Sequence, residues 1–267
     1  MEAEFKYLMI ILSNLLRYFL LAGIPFLIFY KLFPNHFLVN KIQSRLAGRK
    51  DFIREILHSL QTTFILVAVG LALLYSPLKA YTQVYNDLSL HALWWVPTSV
   101  LLALVLHDTY FYWMHRIVHH PTLYAKVHLL HHKSTNPSPW ASYSFHFFEG
   151  VLEAMVAPLI LLLIPMHPLA LLSYTILAFT INVYGHLGYE IAPKWFRNSF
   201  LFQIVNTSVH HNLHHEKFKG NYGLYFRVWD RLMGTEHPEY VARYDAIQER
   251  RFGSHRRSDK YKWQTSS

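Results

Sequence analysis

Five apolar blocks constrain this chain more than any other feature. They cover about residues 7–33, 63–75, 93–112, 151–164 and 169–184. The first is long enough to span a bilayer, because about 20 apolar residues cross the hydrocarbon. Asn14 and Arg17 interrupt it, and Pro25 predicts a kink. It lacks the short apolar core and small-residue cleavage site of a secretory signal, so it reads as a retained signal anchor. Pro165-Met166-His167-Pro168 separates the fourth and fifth blocks, and such close spacing predicts a helical hairpin that dips in and returns.

Charge sets the expected orientation. The net charge is +9, and its positive residues gather between and after apolar blocks. That is the pattern of membrane-flanking residues, not of a nucleic-acid-binding face. The first loop carries Lys31, Lys41, Arg45, Arg49, Lys50 and Arg54. Phe52, Ile53, Ile56, Leu57 and Leu60 have helical spacing there, which predicts a segment lying along the membrane surface. Lysine and arginine are dense after the first and third blocks and in the tail. They are sparse around Lys79 and absent from the 165–168 turn. The bias predicts five crossings, or four with block one or two partly inserted, with the C-terminus and both histidine-rich sections in the cytosol. The fold expected is all-α: a polytopic membrane bundle of about 4–5 transmembrane helices under a cytosolic helical cap. Three regions follow: membrane helices and a basic loop over 1–90, a catalytic region over 91–240, and a polar basic tail over 241–267. The end after about Arg250 is expected to be disordered.

The chain has no cysteine and 19 histidines. The first number excludes disulfides, thiolate zinc sites, iron–sulfur clusters and cysteine nucleophiles. The second demands a reason in so apolar a protein, and histidine is the commonest metal ligand. Three clusters stand out: His115 and His119 as H-x3-H, then His128, His131 and His132, and His211, His214 and His215, each as H-x2-HH. On a helix, residues three and four apart share a face, and three such rings fall within about 100° of arc. Each cluster can therefore aim its rings at one centre. Together they supply eight imidazoles, enough for two metals. Neutral ligands also bring no buried carboxylate charge into an apolar setting. Two rivals are a metal transporter, which would place ligands near mid-membrane on broken helices, and a zinc-dependent membrane hydrolase, which would carry a carboxylate base as in H-E-x-x-H. The clusters sit at block ends and contain no such carboxylate.

The order of motifs resembles the fatty acid hydroxylase/sterol desaturase superfamily of membrane di-iron enzymes. The resemblance runs over about residues 95–236. It begins with the segment from His107 through His119, followed by Val127 to Ser134. His146-Phe147-Phe148-Glu149 resembles the family's H-x2-E segment. His186-Leu187-Gly188-Tyr189 resembles its H-S-G-Y segment, with leucine in place of serine. His211 to His215, Gly220 to Gly223 and Trp229 to Thr235 complete it. The first 90 residues carry no motif of this kind. The resemblance implies the eight box histidines as metal ligands and adds His186 as a ninth. It implies two iron ions, dioxygen as cosubstrate, a lipid substrate and an external electron donor such as a cytochrome b5-like protein or ferredoxin. The membrane would be the endoplasmic reticulum of a eukaryote or the inner membrane of a bacterium. His146 is a further candidate ligand. Glu149 and Asp108 are candidates for orienting ligand rings. Asp230 and Arg231 read as a structural pair. His120 and His210 point away from the centre, and His36, His58, His91, His167, His237 and His255 read as surface residues.

Overall fold

A computed structural model describes residues 2–45 and 47–253, with side chains described from Glu4 onward. His255 and the end expected to be disordered lie outside the described residues. Among those residues the fold is helical, with isolated β-bridges and no strand.

The helices are α1 (Glu2–Phe26), α2 (Arg49–Tyr75), α3 (Trp95–Val118), α4 (Pro121–Val127), α5 (Leu129–His132) and α6 (Phe147–Ala154). They continue with α7 (Val156–Leu163), α8 (Pro168–Gly185), α9 (Leu201–Ile204), α10 (Ser208–Lys217), α11 (Val228–Leu232) and α12 (Tyr240–Phe252). The last turns after α1 widen into a π-helix over Leu27–Leu32, just beyond Pro25. Proline there lacks the N–H that would continue the ordinary ladder.

Three helices among the described residues are long and apolar enough to cross a membrane: Glu4–Leu32, Arg49–Tyr75 and Pro168–Gly185. The α3 helix has the length but carries His107, Asp108 and Arg116. The fourth apolar block does not form one span. It breaks at Met155 into α6 and α7, each of eight residues and about 12 Å long. Leucines and phenylalanines at positions 8, 12, 16, 19 and 20 of α1 and 169, 172 and 177 of α8 lie exposed. An apolar surface of that extent is stable in lipid, not in water.

The basic segment expected along the membrane surface is instead the first part of α2. Its Asp51 carboxylate accepts the Gly48 N–H at 3.0 Å and starts the helix. Glu55, Ser59 and Thr62 are fully buried on its inner face. Glu55 accepts from Ser134 at 2.7 Å and from Ser138, and Ser59 donates to the Trp140 carbonyl at 2.8 Å. These polar anchors hold the helix inward where its apolar stripe alone suggested a surface position.

Several ends gather on one face. The Tyr30 hydroxyl, after α1, donates to the Leu187 carbonyl after α8 at 2.9 Å. The start of α2 and the end of α3 meet the same region. At the opposite end, the Trp95 indole donates to the Pro165 carbonyl at 2.8 Å. There His167 caps α8: its Nδ1 accepts the Leu169 N–H at 3.1 Å and its Nε2 meets the Asn86 carbonyl at 3.1 Å. His167 is thus a buried capping residue, not a surface one. A membrane-side core forms among Ala103, Leu104, Ile160 and Ala170. A cap core forms among Phe202, Leu213, Tyr240, Tyr244 and Ile247, so the first part of the 241–267 segment is folded helix.

Candidate metal centre

The sequence delivers its histidines from four places. His115 lies in the last turn of α3 and His119 caps it. His128 sits at the α4–α5 junction and His131 and His132 on α5. His186 caps the C-terminus of α8, and His211, His214 and His215 share α10. The α10 helix is fixed by Thr207, whose side chain accepts from His210, and ends at Phe218 in the left-handed region.

These nine rings form two groups. His115, His119, His128, His132 and His214 make the first; His131, His186, His211 and His215 make the second. Within each group the nearest ring nitrogens lie within 4.8 Å of one another. In the first, His115 and His128 approach Nε2 to Nε2 at 3.0 Å, and His119 approaches His132 and His214 at 3.2 Å each. In the second, His186 meets His211 at 3.1 Å and His131 at 3.4 Å, and His211 meets His215 at 3.2 Å. Each H-x2-HH cluster is divided: His131 goes to one group and His132 to the other, as do His215 and His214. Neighbouring helix positions aim at two centres instead of one.

The other ring nitrogen shows whether a metal fits. His115 Nδ1 donates to the Tyr222 carbonyl at 2.9 Å, His186 Nδ1 to Asn182 at 2.9 Å and His214 Nδ1 to Gly220 at 2.7 Å. His131 Nδ1 reaches the Ser144 carbonyl at 3.3 Å, and His128 Nδ1 meets Glu149 at 2.5 Å. A carbonyl only accepts, so the proton must sit on Nδ1. In His115, His214, His131 and His186 that leaves an Nε2 lone pair turned into its group, two in each. Such an arrangement is repulsive unless a cation lies between them, and it fits two metal ions. Burial pushes the pKa of His128, His131, His132, His211, His214 and His215 well below the usual value, with neighbouring rings adding to the effect. The rings are therefore held neutral, the form that binds metal. Burial pushes Glu149 up.

Two other carboxylates act on the loop that supplies these carbonyls. Asp230 accepts the N–H groups of Tyr222 at 2.8 Å and Gly223 at 2.7 Å, and the Thr235 hydroxyl at 2.7 Å. It does not pair with Arg231, which bonds Gln203. Asp108 accepts the N–H groups of Leu224, Tyr225 and Phe226 at 3.0, 2.7 and 3.2 Å. Asp108 therefore orients loop backbone, not a ligand ring. Gly223 is required by close approach: a Cβ there would run into the Phe226 carbonyl and the Asp230 carboxylate. Gly188 adopts φ +75 beneath Tyr30, which explains the glycine after His186.

The remaining described histidines lie outside both groups. His146 is half-buried at the start of α6 beside Phe148. His107 Nδ1 meets the hydroxyls of Tyr174 and Tyr225 at 2.7 and 2.9 Å. His210 is buried against Tyr240, and His120 bonds Thr122 at the surface.

A largely apolar cavity of about 330 Å³ adjoins the centre, lined by α1, α2, α7 and α8 with His107 of α3, Glu153 of α6 and the 143–145 and 224–225 segments. Its near end includes Phe145, whose ring lies 4.8 Å from that of His131, and Asn182, whose carbonyl holds His186. Its far end includes Gly70, Leu74 and Tyr75. The volume is at the lower end of small-molecule sites, roughly 300–1,000 Å³.

Apolar helices long enough to cross a membrane, with gathered ends that carry two all-imidazole groups able to hold metal ions, define the class of protein. The chain belongs to the fatty acid hydroxylase family, whose profile matches residues 100–235. A Delta(7)-sterol 5(6)-desaturase of Gibberella zeae is 30% identical over 213 residues, 76% of this chain and 64% of that protein. Lathosterol oxidase of Rattus norvegicus is 31% identical over 188 residues, 69% of this chain and 61% of that protein. Lathosterol oxidase of Homo sapiens is 31% identical over 184 residues, covering 68% and 60%. The chain thus spans 60% to 64% of the length of these three relatives. No solved structure matches it.

Glu149→Leu removes the acceptor that holds His128. Loss of such an outer partner lowers metal affinity by about 10–100-fold. The expected result under chelator titration is early release of one ion per chain, from the first group. Glu149→Gln, which keeps an acceptor, should fall between. Simultaneous release of all metal would show that the two groups are not independent.

Proposed function

We propose that this chain is a membrane oxygenase that uses two iron ions and dioxygen to hydroxylate or desaturate an unactivated C–H position of a lipid. The lipid is sterol-like or a fatty acyl or sphingoid chain, and electrons come from an external donor such as a cytochrome b5-like protein or ferredoxin. The observation that carries this reading is the placing of two adjacent all-histidine groups against one end of an apolar cavity. The names of the relatives, sterol desaturase and lathosterol oxidase, favour the same chemistry.

His115, His119, His128, His132 and His214 would hold one ion, and His131, His186, His211 and His215 the other. The bound pair would supply oxygen activation and removal of a hydrogen atom from carbon. The protein's own part is positional. Carbonyls of Tyr222, Asn182 and Gly220 fix ring orientation and keep each proton on Nδ1. Glu149 does the same for His128. Phe145 separates cavity from rings and excludes water from the reacting carbon. The face bearing the histidines is assigned to the cytosol, from the bias of lysine and arginine.

The test is product formation by the purified full chain with a reduced donor, on lathosterol and on oleoyl substrates, in air and under argon. Product that requires both oxygen and donor is the expected result. Turnover that persists under argon would remove the oxygenase reading and return metal transport or zinc-dependent hydrolysis.

The far end of the cavity offers a separate check. A Cβ at Gly70 would meet nothing within 4 Å, so the position faces open space. Gly70→Leu should fill the far end and lower affinity for a full-length lipid by roughly tenfold, the cost of excluding a few buried methylenes. Helix stability should rise slightly, since glycine costs about 1 kcal/mol relative to good helix formers. Binding of a lipid with a shortened tail should be unchanged.

A further inference from the structure

Two short helices of the cap carry apolar side chains that point outward. Phe200 and Leu201 stand at the start of α9, and Val228, Leu232 and Met233 lie on or just after α11. Phe200 is 76% exposed and Leu232 70%, each more than the outward leucines of α1. The two helices make one surface. The Arg227 N–H donates to the Ile204 carbonyl at 2.7 Å, and Arg231 donates to the backbone and side-chain oxygens of Gln203 at 3.0 and 3.1 Å. A joined apolar surface of this kind marks an interaction site.

The α3 helix shows what covers it. Leu101, Val105, Thr109, Trp113 and Ile117 are spaced four apart and form one stripe. All but Thr109 are exposed. The other side of α3 packs Ala103 and Leu104 in one core with Ala170 of α8, a helix long and apolar enough to cross a membrane. The stripe therefore faces lipid. Thr109 is where α11 lands: the Trp229 indole donates to its hydroxyl at 3.0 Å, and the Trp229 and Trp113 rings lie 5.5 Å apart. Tryptophans mark both ends of the stripe, as they do at membrane boundaries. Trp94 and Trp95 begin the helix, and Arg116 stacks over Trp113 near its end. From Trp95 to Trp113 the helix rises about 27 Å, close to the roughly 30 Å of hydrocarbon. Thr109 lies one turn, about 6 Å, before Trp113. The α11 helix thus meets the stripe inside the hydrocarbon edge.

We infer that α9 and α11 of the cap are immersed in the leaflet on the histidine side. Phe200, Leu201, Val228, Leu232 and Met233 lie among the acyl chains, and the lipid on them is continuous with the lipid on the α3 stripe. Arg231 keeps its guanidinium at headgroup level while its apolar neighbours go deeper, as long cationic side chains do at such boundaries. The placement reaches the metal centre. The α11 helix carries Asp230, which clamps the loop whose Tyr222 carbonyl holds His115. The bilayer thereby supports the helix that orients a ring of the first group. The inference concerns where the cap sits, and it stands whatever reaction the histidines support.

The test uses a property of the sequence. The chain has no cysteine, so one introduced cysteine takes a unique spin label. Phe200→Cys and Leu232→Cys are labelled in the full chain, in phosphatidylcholine nanodiscs. Val105→Cys on the α3 stripe serves as the lipid reference and Lys219→Cys on the cap as the water reference. All four side chains are exposed, so the replacements remove little packing, and circular dichroism checks that the helices are kept. Power saturation compares access of oxygen, which concentrates in hydrocarbon, with access of a nickel chelate, which stays in water. The expected oxygen-to-nickel ratio at positions 200 and 232 is severalfold above that of the Lys219 label and close to that of the Val105 label. A ratio like that of the Lys219 label at either position would overturn the inference and leave the patch in water. Low access to both reagents would overturn it as well, because protein, a second copy or another partner, would then cover the patch.

Discussion

His131→Ala with His132→Ala is expected to reduce bound iron from about two ions per chain to nearly none. The two residues are adjacent in sequence but serve different groups. The pair of substitutions therefore takes one ligand from each centre. Loss of an outer partner already costs about 10–100-fold in metal affinity, and loss of a direct ligand costs at least that. The remaining rings cannot compensate, because carbonyl partners pin several of them. Metal analysis of the detergent-purified protein, with His120→Ala as control, reads the result. His120 is a surface ring bonded to Thr122, so its loss should leave metal content unchanged. One zinc per chain, indifferent to the double substitution, would sink the dinuclear assignment. The single variants carry a finer expectation: His132→Ala should empty the first group and His131→Ala the second.

The gathering of the box histidines was legible in the sequence because its signal is local. H-x3-H and H-x2-HH encode helix faces, and a helix face is a property of spacing alone. The same spacing misled in one respect. It suggested that each cluster aims at a single centre, whereas α5 and α10 each serve two. That division depends on how the two helices face one another, which no local pattern records. The contact of Glu149 with a candidate ligand, His128, was foreshadowed by its place in a short motif, but the partners of Asp108 were not. Its three N–H partners lie more than a hundred residues away, at Leu224, Tyr225 and Phe226. The start of α2 shows a competing effect. Its apolar stripe matched a surface helix, and buried Glu55 and Ser59, bonded to a distant loop, decided otherwise. His167 read as a surface residue, yet capping α8 buries it. The break of the fourth block at Met155 follows from Pro158 in the first turn of α7, which cannot donate to the Ala154 carbonyl and so ends the ladder of α6; a count of apolar residues alone passes over it.

Asp230→Ala should damage both the fold and one metal group, and the two effects have different sizes. Asp230 is fully buried and accepts two backbone N–H groups and one hydroxyl. Removing it orphans those donors, at about 1–3 kcal/mol for each that finds no water. A loss of several kcal/mol lowers the thermal midpoint of a chain this size by roughly ten degrees. The metal effect follows from geometry. The loop Asp230 clamps presents the Tyr222 carbonyl to His115, and the adjoining Gly220 carbonyl holds His214. Both rings belong to the first group. The second group is held by Asn182 and Ser144, which Asp230 does not touch. Metal affinity should therefore fall by about 10–100-fold at one centre and stay unchanged at the other. Asp230→Asn keeps one accepting oxygen and turns a donor toward the other N–H, so it should lie between. Chelator titration beside thermal unfolding separates the effects. Equal loss of both ions would mean that the loop acts on the whole cap, and retention of both would remove Asp230 from any role at the centre.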